Sequence, residues 1–113
     1  MGVTLYSKDE QKDISMCYST FNFLRDSIAA SYRYTTTPIT PEVELFFKQS
    51  DVNGDVGLLT CIDLWNHLCD KEWDDLNIGG DTPLYTSQDF WWFDDFKELV
   101  KHCVDTNQGF EWA

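Results

Sequence analysis

"FDDFKELVKHCVDTNQGFEWA", residues 93–113, changes its period part-way along, and that change decides the fold. Phe93, Phe96, Val100 and Cys103, with Leu99 and Val104 beside them, recur three or four residues apart and so share one side of a helix. After the breaker "TNQG", Phe110 and Trp112 alternate with Glu111, which is the period of a strand. A lone strand leaves its backbone donors and acceptors unpaired, and the other end of the chain offers a partner. There "GVTLYSK", residues 2–8, alternates Val3 and Leu5 with Thr4 and Tyr6. The two ends are expected to pair as a small antiparallel sheet.

The middle of the chain reads as helices. The last of them is expected to start at a Ser87 cap and run to about Asp105, with its acids early and Lys97, Lys101 and His102 late, as the helix dipole prefers. Met16, Cys17, Phe21, Leu24 and Ile28 give helical spacing from about Ser15 to Tyr32, and "YRYTTTPITPE" then breaks it. Thr40 as N-cap, Pro41 at the first helical position and Glu42 and Glu44 in the first turn predict a second helix to about Ser50. Beyond the loop "DVNGDVGLL", Thr60 and Asp63 have the spacing of a capping box, and Ile62, Leu64, Trp65, Leu68 and Cys69 supply an apolar face for a third helix. The polar stretch "KEWDDLNIGGDTPLYT", with Gly79, Gly80 and Pro83, reads as a loop or lid. The fold class is therefore α+β: a mainly helical single domain over residues 1–113, with about four helices and a small antiparallel sheet from the terminal strands.

Length and composition agree, since 113 residues with 42% apolar and 16% aromatic content suffice for one modest core. Acids outnumber bases 20 to 8, for a net charge of −12. Phosphate contacts need Lys and Arg, so direct nucleic-acid binding is disfavoured, whereas steered association with a basic protein is favoured. The opening residues have neither the basic nor the apolar region of a secretion signal. No stretch approaches the roughly 18 apolar residues that cross a bilayer, so no membrane role and a cytosolic location are expected. Cys17, Cys61, Cys69 and Cys103 form no CxxC pair and read as reduced core thiols.

Between residues 70 and 98, nine acids stand against Lys71 and Lys97, with Trp73, Tyr85, Trp91 and Trp92 among them. Trp91, Asp94, Asp95 and Glu98 fall on a different face of the last helix from its apolar stripe. Trp73, Asp74, Asp75, Trp91, Asp94, Asp95 and Glu98 are thus the candidate partner-binding residues, the carboxylates steering and the indoles anchoring. "SDVNGDVGLLTCIDLW", residues 50–65, raises a second possibility, because a loop with Asp51, Asn53 and Asp55 between helices resembles a calcium loop. Val56 stands where the sharp turn needs glycine, and Ile62 where a bidentate glutamate belongs. Only an inserted residue would bring Asp63 to the end of the loop. Asp51, Asn53, Asp55 and Asp63 remain secondary metal candidates, and an Asx-rich turn is the favoured reading. His67 and His102 build no triad and there is no glycine-rich phosphate loop, so the chain is expected to be neither an enzyme nor a cofactor carrier.

"MGVTLYSK", "FFKQSDVNGDVG" and "DFKELVKHCVDTNQGFEW" resemble, in order along the chain, small acidic proteins carried by phages and prophages of Gram-positive bacteria. The resemblance implies a viral accessory protein acting in the host cytoplasm. Many such proteins inhibit host defence or DNA enzymes, some by presenting carboxylates where DNA phosphates would sit. The expected partner is a basic host protein, such as a nucleic-acid-binding enzyme, a restriction or glycosylase enzyme or a CRISPR effector. Alternatives of other classes are a calcium-binding module like an EF-hand and a virion or toxin-immunity protein.

Overall fold

The computed structural model describes residues 2–76 and 92–113. Strand β1 (Gly2–Ser7) turns back into β2 (Asp13–Cys17), which runs directly into α1 (Tyr18–Tyr34). Then come α2 (Pro41–Lys48), β3 (Gly54–Val56), α3 (Leu58–Leu68), the single turn α4 (Trp73–Leu76), α5 (Trp92–Asp105) and β4 (Phe110–Trp112). The four strands form an antiparallel sheet in the order β2-β1-β4-β3.

The terminal strands pair as their alternation predicts, with Leu5 opposite Trp112 and Ser7 opposite Phe110. Two further strands were hidden in the sequence. Residues 15–17 are expected to begin the first helix, yet they belong to β2, which extends over residues 13–17 and pairs with β1, Ile14 opposite Leu5 and Met16 opposite Val3. Ile14 and Met16 point into the core while Asp13, Ser15 and Cys17 face out, a period of two in place of the assumed 3.6. Likewise the loop before α3 contains β3, whose Gly54 lies opposite Trp112. A Cβ at Gly54 would come within 2.0 Å of the Trp112 ring, so the absence of a side chain admits the indole.

Helix ends follow local chemistry. Thr40 accepts from the Val43 N–H and Pro41 opens α2, as expected. The capping box assigned to Thr60 and Asp63 does not form: α3 starts after Gly57, and Thr60 already lies inside it, donating to the Glu42 carbonyl at 2.7 Å. At the end of α5, Asn107 adopts left-handed φ of 56°, the Gln108 N–H bonds the Cys103 carbonyl and the Asn107 N–H bonds that of Val104. This is a Schellman motif with Asn in the glycine position.

The core lies between the inner sheet face and the helices. Phe93, Phe96, Val100, Cys103 and Leu99 are all buried, as the stripe on α5 predicts. Phe96 stacks on Phe46 at 5.5 Å and meets Phe110 edge-on at 5.9 Å, so one ring joins α5, α2 and β4. All four cysteines are free thiols, but only Cys61 and Cys103 are core residues; Cys17 and Cys69 are exposed. Cys69 ends α3 away from the core, and Cys17 is on the outer sheet face. The assigned Ser87 cap and the stretch 77–91 lie outside the described residues.

Candidate functional site

Helix α5 carries Asp94 and Asp95 in its first turn and Glu98 one turn on. With Phe93 and Phe96 fixed in the core, Asp94 and Glu98 are turned to solvent and Asp95 is half-buried beside them. Across a cleft of about 160 Å³, Asp95, Glu98 and Leu99 face Lys12, Asp13 and Ile14 of the edge strand β2 and its hairpin. Burial, then repulsion from Glu98 and Asp94, raises the Asp95 carboxyl above its ordinary value, against the opposing pull of Lys12. Asp13 belongs to this cluster.

From Asp13 the acidic surface continues over the outer face of the sheet. Tyr6 lies opposite Asp13 on one side and Glu111 on the other, and Glu111 lies opposite Asp55. The row Asp13–Tyr6–Glu111–Asp55 therefore crosses all four strands. Neighbouring strands are about 4.8 Å apart, and a directly opposed like-charge pair such as Glu111 and Asp55 is destabilising. Lys8 offsets part of that repulsion through its 3.0 Å bridge to Asp55. A hydrogen bond to Glu111, with smaller contributions from burial and the surrounding acids, pushes the Tyr6 phenol up and keeps it protonated.

Asp94, Asp95 and Glu98 are thus brought together as expected, and Asp13, Glu111 and Asp55 join the same acidic surface unforeseen. Cross-strand neighbours become visible only once the register is known. Trp73 must be corrected. It is 1% exposed, with its ring 5.6 Å from Phe23 and 5.8 Å from Phe93, because Trp73 and Leu76 form the apolar side of α4. A ring so enclosed cannot anchor a partner. Asp75 is exposed and accepts from the Glu72 N–H at 2.8 Å at the start of α4. The Asp74 side chain and Trp91 lie outside the described residues. Among the described residues, an aromatic side chain that does stand beside these acids is Trp65, expected in the core from its helical spacing. It is half-buried in a groove of about 380 Å³ that also contains Asp94 and Glu98, with Lys97 and Lys101. Lys97 is drawn inward, donating to the Lys71 carbonyl at 2.6 Å.

The secondary metal candidates disperse. Asp51 accepts from the Asn22 amide at 2.9 Å, Asp55 pairs with Lys8, Asp63 accepts from the Thr40 hydroxyl, and Asn53 is exposed. The loop is closed by protein groups. The Gln49 side chain donates to the Asp55 carbonyl and accepts from its N–H, while the Arg25 guanidinium donates to the carbonyls of Phe46 and Gln49. Among the described residues no three His, Cys, Asp or Glu side chains are grouped to hold a metal ion.

The histidines are engaged in structure. His67 is buried, stacked on Tyr32 at 3.7 Å with Nε2 2.8 Å from the Ser31 hydroxyl, and His102 Nε2 lies 3.0 Å from Asp9. Among the described residues no helix is long and apolar enough to cross a membrane. No family model, no curated protein and no solved structure matches the chain.

Proposed function

We propose that this chain is a non-enzymatic phage accessory protein that binds a basic host protein, a nucleic-acid-handling or defence enzyme, and occupies the surface on which that enzyme holds nucleic acid. The observation that carries the reading is the like-charge crowding at the junction of α5 and β2. Burial, then repulsion from Glu98 and Asp94, raises the Asp95 carboxyl; Asp13 lines the same cleft, and the carboxylates continue through Glu111 and Asp55 on the sheet. Folding alone gains nothing from such crowding, whereas a partner rich in Arg and Lys would relieve it. A carboxylate array on a helix and a sheet is already ordered, so little entropy is lost on binding. Trp65, half-exposed beside Asp94 and Glu98, suits an arginine that stacks on the ring while pairing with the acids.

The test is affinity purification from a Gram-positive host lysate at low salt, with mass spectrometry of the bound fraction and a nucleic-acid competition assay on each protein recovered. The expected result is a basic enzyme whose nucleic acid is displaced by this protein. Recovery of partners that bind without affecting nucleic acid would sink the competition reading.

A further inference from the structure

Among the described residues most large aliphatic side chains are buried, but four exposed ones lie on or beside α2 and α3: Leu59 (64% exposed), Leu45 (53%), Ile39 (38%) and Ile62 (36%). Leu59 and Ile62 are three residues apart on α3 and so project side by side. They form one wall of a groove of about 260 Å³, together with Asp63 and Asn66, and Glu42 of α2 forms the other. Leu45 lies one turn beyond Glu42 on the same side of α2, and Ile39 immediately precedes Thr40. Two hydrogen bonds set the spacing of the helices, Thr60 to the Glu42 carbonyl at 2.7 Å and Thr40 to Asp63 at 2.5 Å. The groove is therefore held open by α2–α3 packing and needs no rearrangement to accept a ligand.

Its charge selects the occupant. A carboxylate stands on each wall, Glu42 on α2 and Asp63 on α3, and among the described residues no base lines the groove. We infer that the α2–α3 groove docks a short amphipathic helix of a partner protein, inserting two apolar side chains three or four residues apart and presenting Lys or Arg to Glu42 and Asp63. This is the helix-in-groove mode, in which apolar burial supplies affinity and the charged rim supplies selection. A second copy fits poorly, because two chains of net charge −12 would bring the same acids together. An anionic membrane is repelled for the same reason. The inference is independent of the acidic surface on α5 and the sheet, which shares no residue with this groove.

A displayed library of random 16-residue peptides, selected against the intact protein, tests it. Enriched peptides are expected to carry the apolar pair and at least one Lys or Arg. They should lose at least tenfold in affinity on Leu59→Asp or Ile62→Asp, weaken several-fold on Glu42→Lys, and bind the Asp94→Lys/Glu98→Lys variant normally. Position 59 is in the first turn of α3, where an acid suits the helix dipole, so Leu59→Asp should fold. Circular dichroism checks this, and Leu59→Ser serves as a second variant. No enrichment, enrichment of acidic or uncharged peptides, or equal binding by the Leu59 variants would overturn the inference. So would a concentration-dependent dimer abolished by Leu59→Asp, which would make the groove a contact between copies.

Discussion

One hydroxyl, that of Thr40, joins two helices: it accepts from the Val43 N–H at the start of α2 and donates to the Asp63 carboxylate on α3 at 2.5 Å. Thr40→Val keeps the shape and removes both bonds. It should destabilise the protein by about 1–2 kcal/mol, the range for loss of an N-cap, since a second bond goes with it. Thr40→Ser should retain most of that stability. Urea denaturation of the two variants checks the prediction, and equal midpoints would show that the hydroxyl contributes nothing.

Thr36 ends α1 in a conformation unsuited to it. Its φ is 51°, its N–H bonds the Arg33 carbonyl and that of Thr37 bonds the Tyr32 carbonyl, so a β-branched residue holds the glycine position of a Schellman motif. The left-handed region costs an L-residue about 1–2 kcal/mol, partly offset for glycine by its greater freedom when unfolded. Thr36→Gly should therefore stabilise the fold by about 0.5–1 kcal/mol, read as a higher melting temperature. An unchanged or lower temperature would mean that the turn opens in solution.

His67 gives the stability a pH dependence. Burial, and secondarily the charge of Lys71, lowers its pKa from an ordinary 6.5 to about 4. Between those values the unfolded chain binds a proton that the folded protein excludes, so stability is full above pH 6.5 and falls as the pH falls towards 4. Hydrogen bonds to the Asp9 carboxyl, first that from the Ser7 hydroxyl and also that from the Gln11 N–H, hold it well below the usual range, so its contribution is lost in more acid solution. Melting temperatures measured from pH 7.5 to 4 should decline across the histidine window, and His67→Gln should flatten the decline. A decline of the same size in the variant would assign it to other groups.

The legible parts of the fold were those whose signal is local and repeated. The stripe on α5, the Thr40–Pro41 start of α2 and the alternation of both termini each specify an element without reference to anything distant. Strand β2 was not legible because "DISMC" adjoins α1 without a breaker, and five residues satisfy either period when a helix follows at once. Strand β3 is only three residues long and owes its existence to Trp112, far away in sequence. The site divided in the same way. Asp94, Asp95 and Glu98 share a helix face and could be grouped from spacing, whereas Asp13, Glu111 and Asp55 come together through sheet register. Trp73 is buried and Trp65 only half-buried, because a single apolar turn does not reveal which side of it the core will occupy.

The acidic face yields the prediction that separates solubility from recognition. Asp95 has a raised carboxyl pKa, so its contribution to stability is present below its unfolded value of 3.8 and is lost as the pH rises through the folded one. Asp95→Asn should raise the melting temperature slightly at pH 7 and leave it unchanged near pH 3. Asp94 and Glu98 are exposed, so Asp94→Lys/Glu98→Lys should fold normally, with effects within about half a kcal/mol per site. Both changes remove attraction for a basic partner. In surface plasmon resonance against the recovered host protein, the double reversal should lower the association rate steeply, and binding of the unaltered chain should weaken as salt rises. Trp65→Leu should mainly speed dissociation, because a ring contributes through burial and stacking. If the double reversal binds normally, the carboxylates serve solubility alone. If binding ignores salt yet is lost on Trp65→Leu, the partner recognises the indole groove and the nucleic-acid mimic must be abandoned.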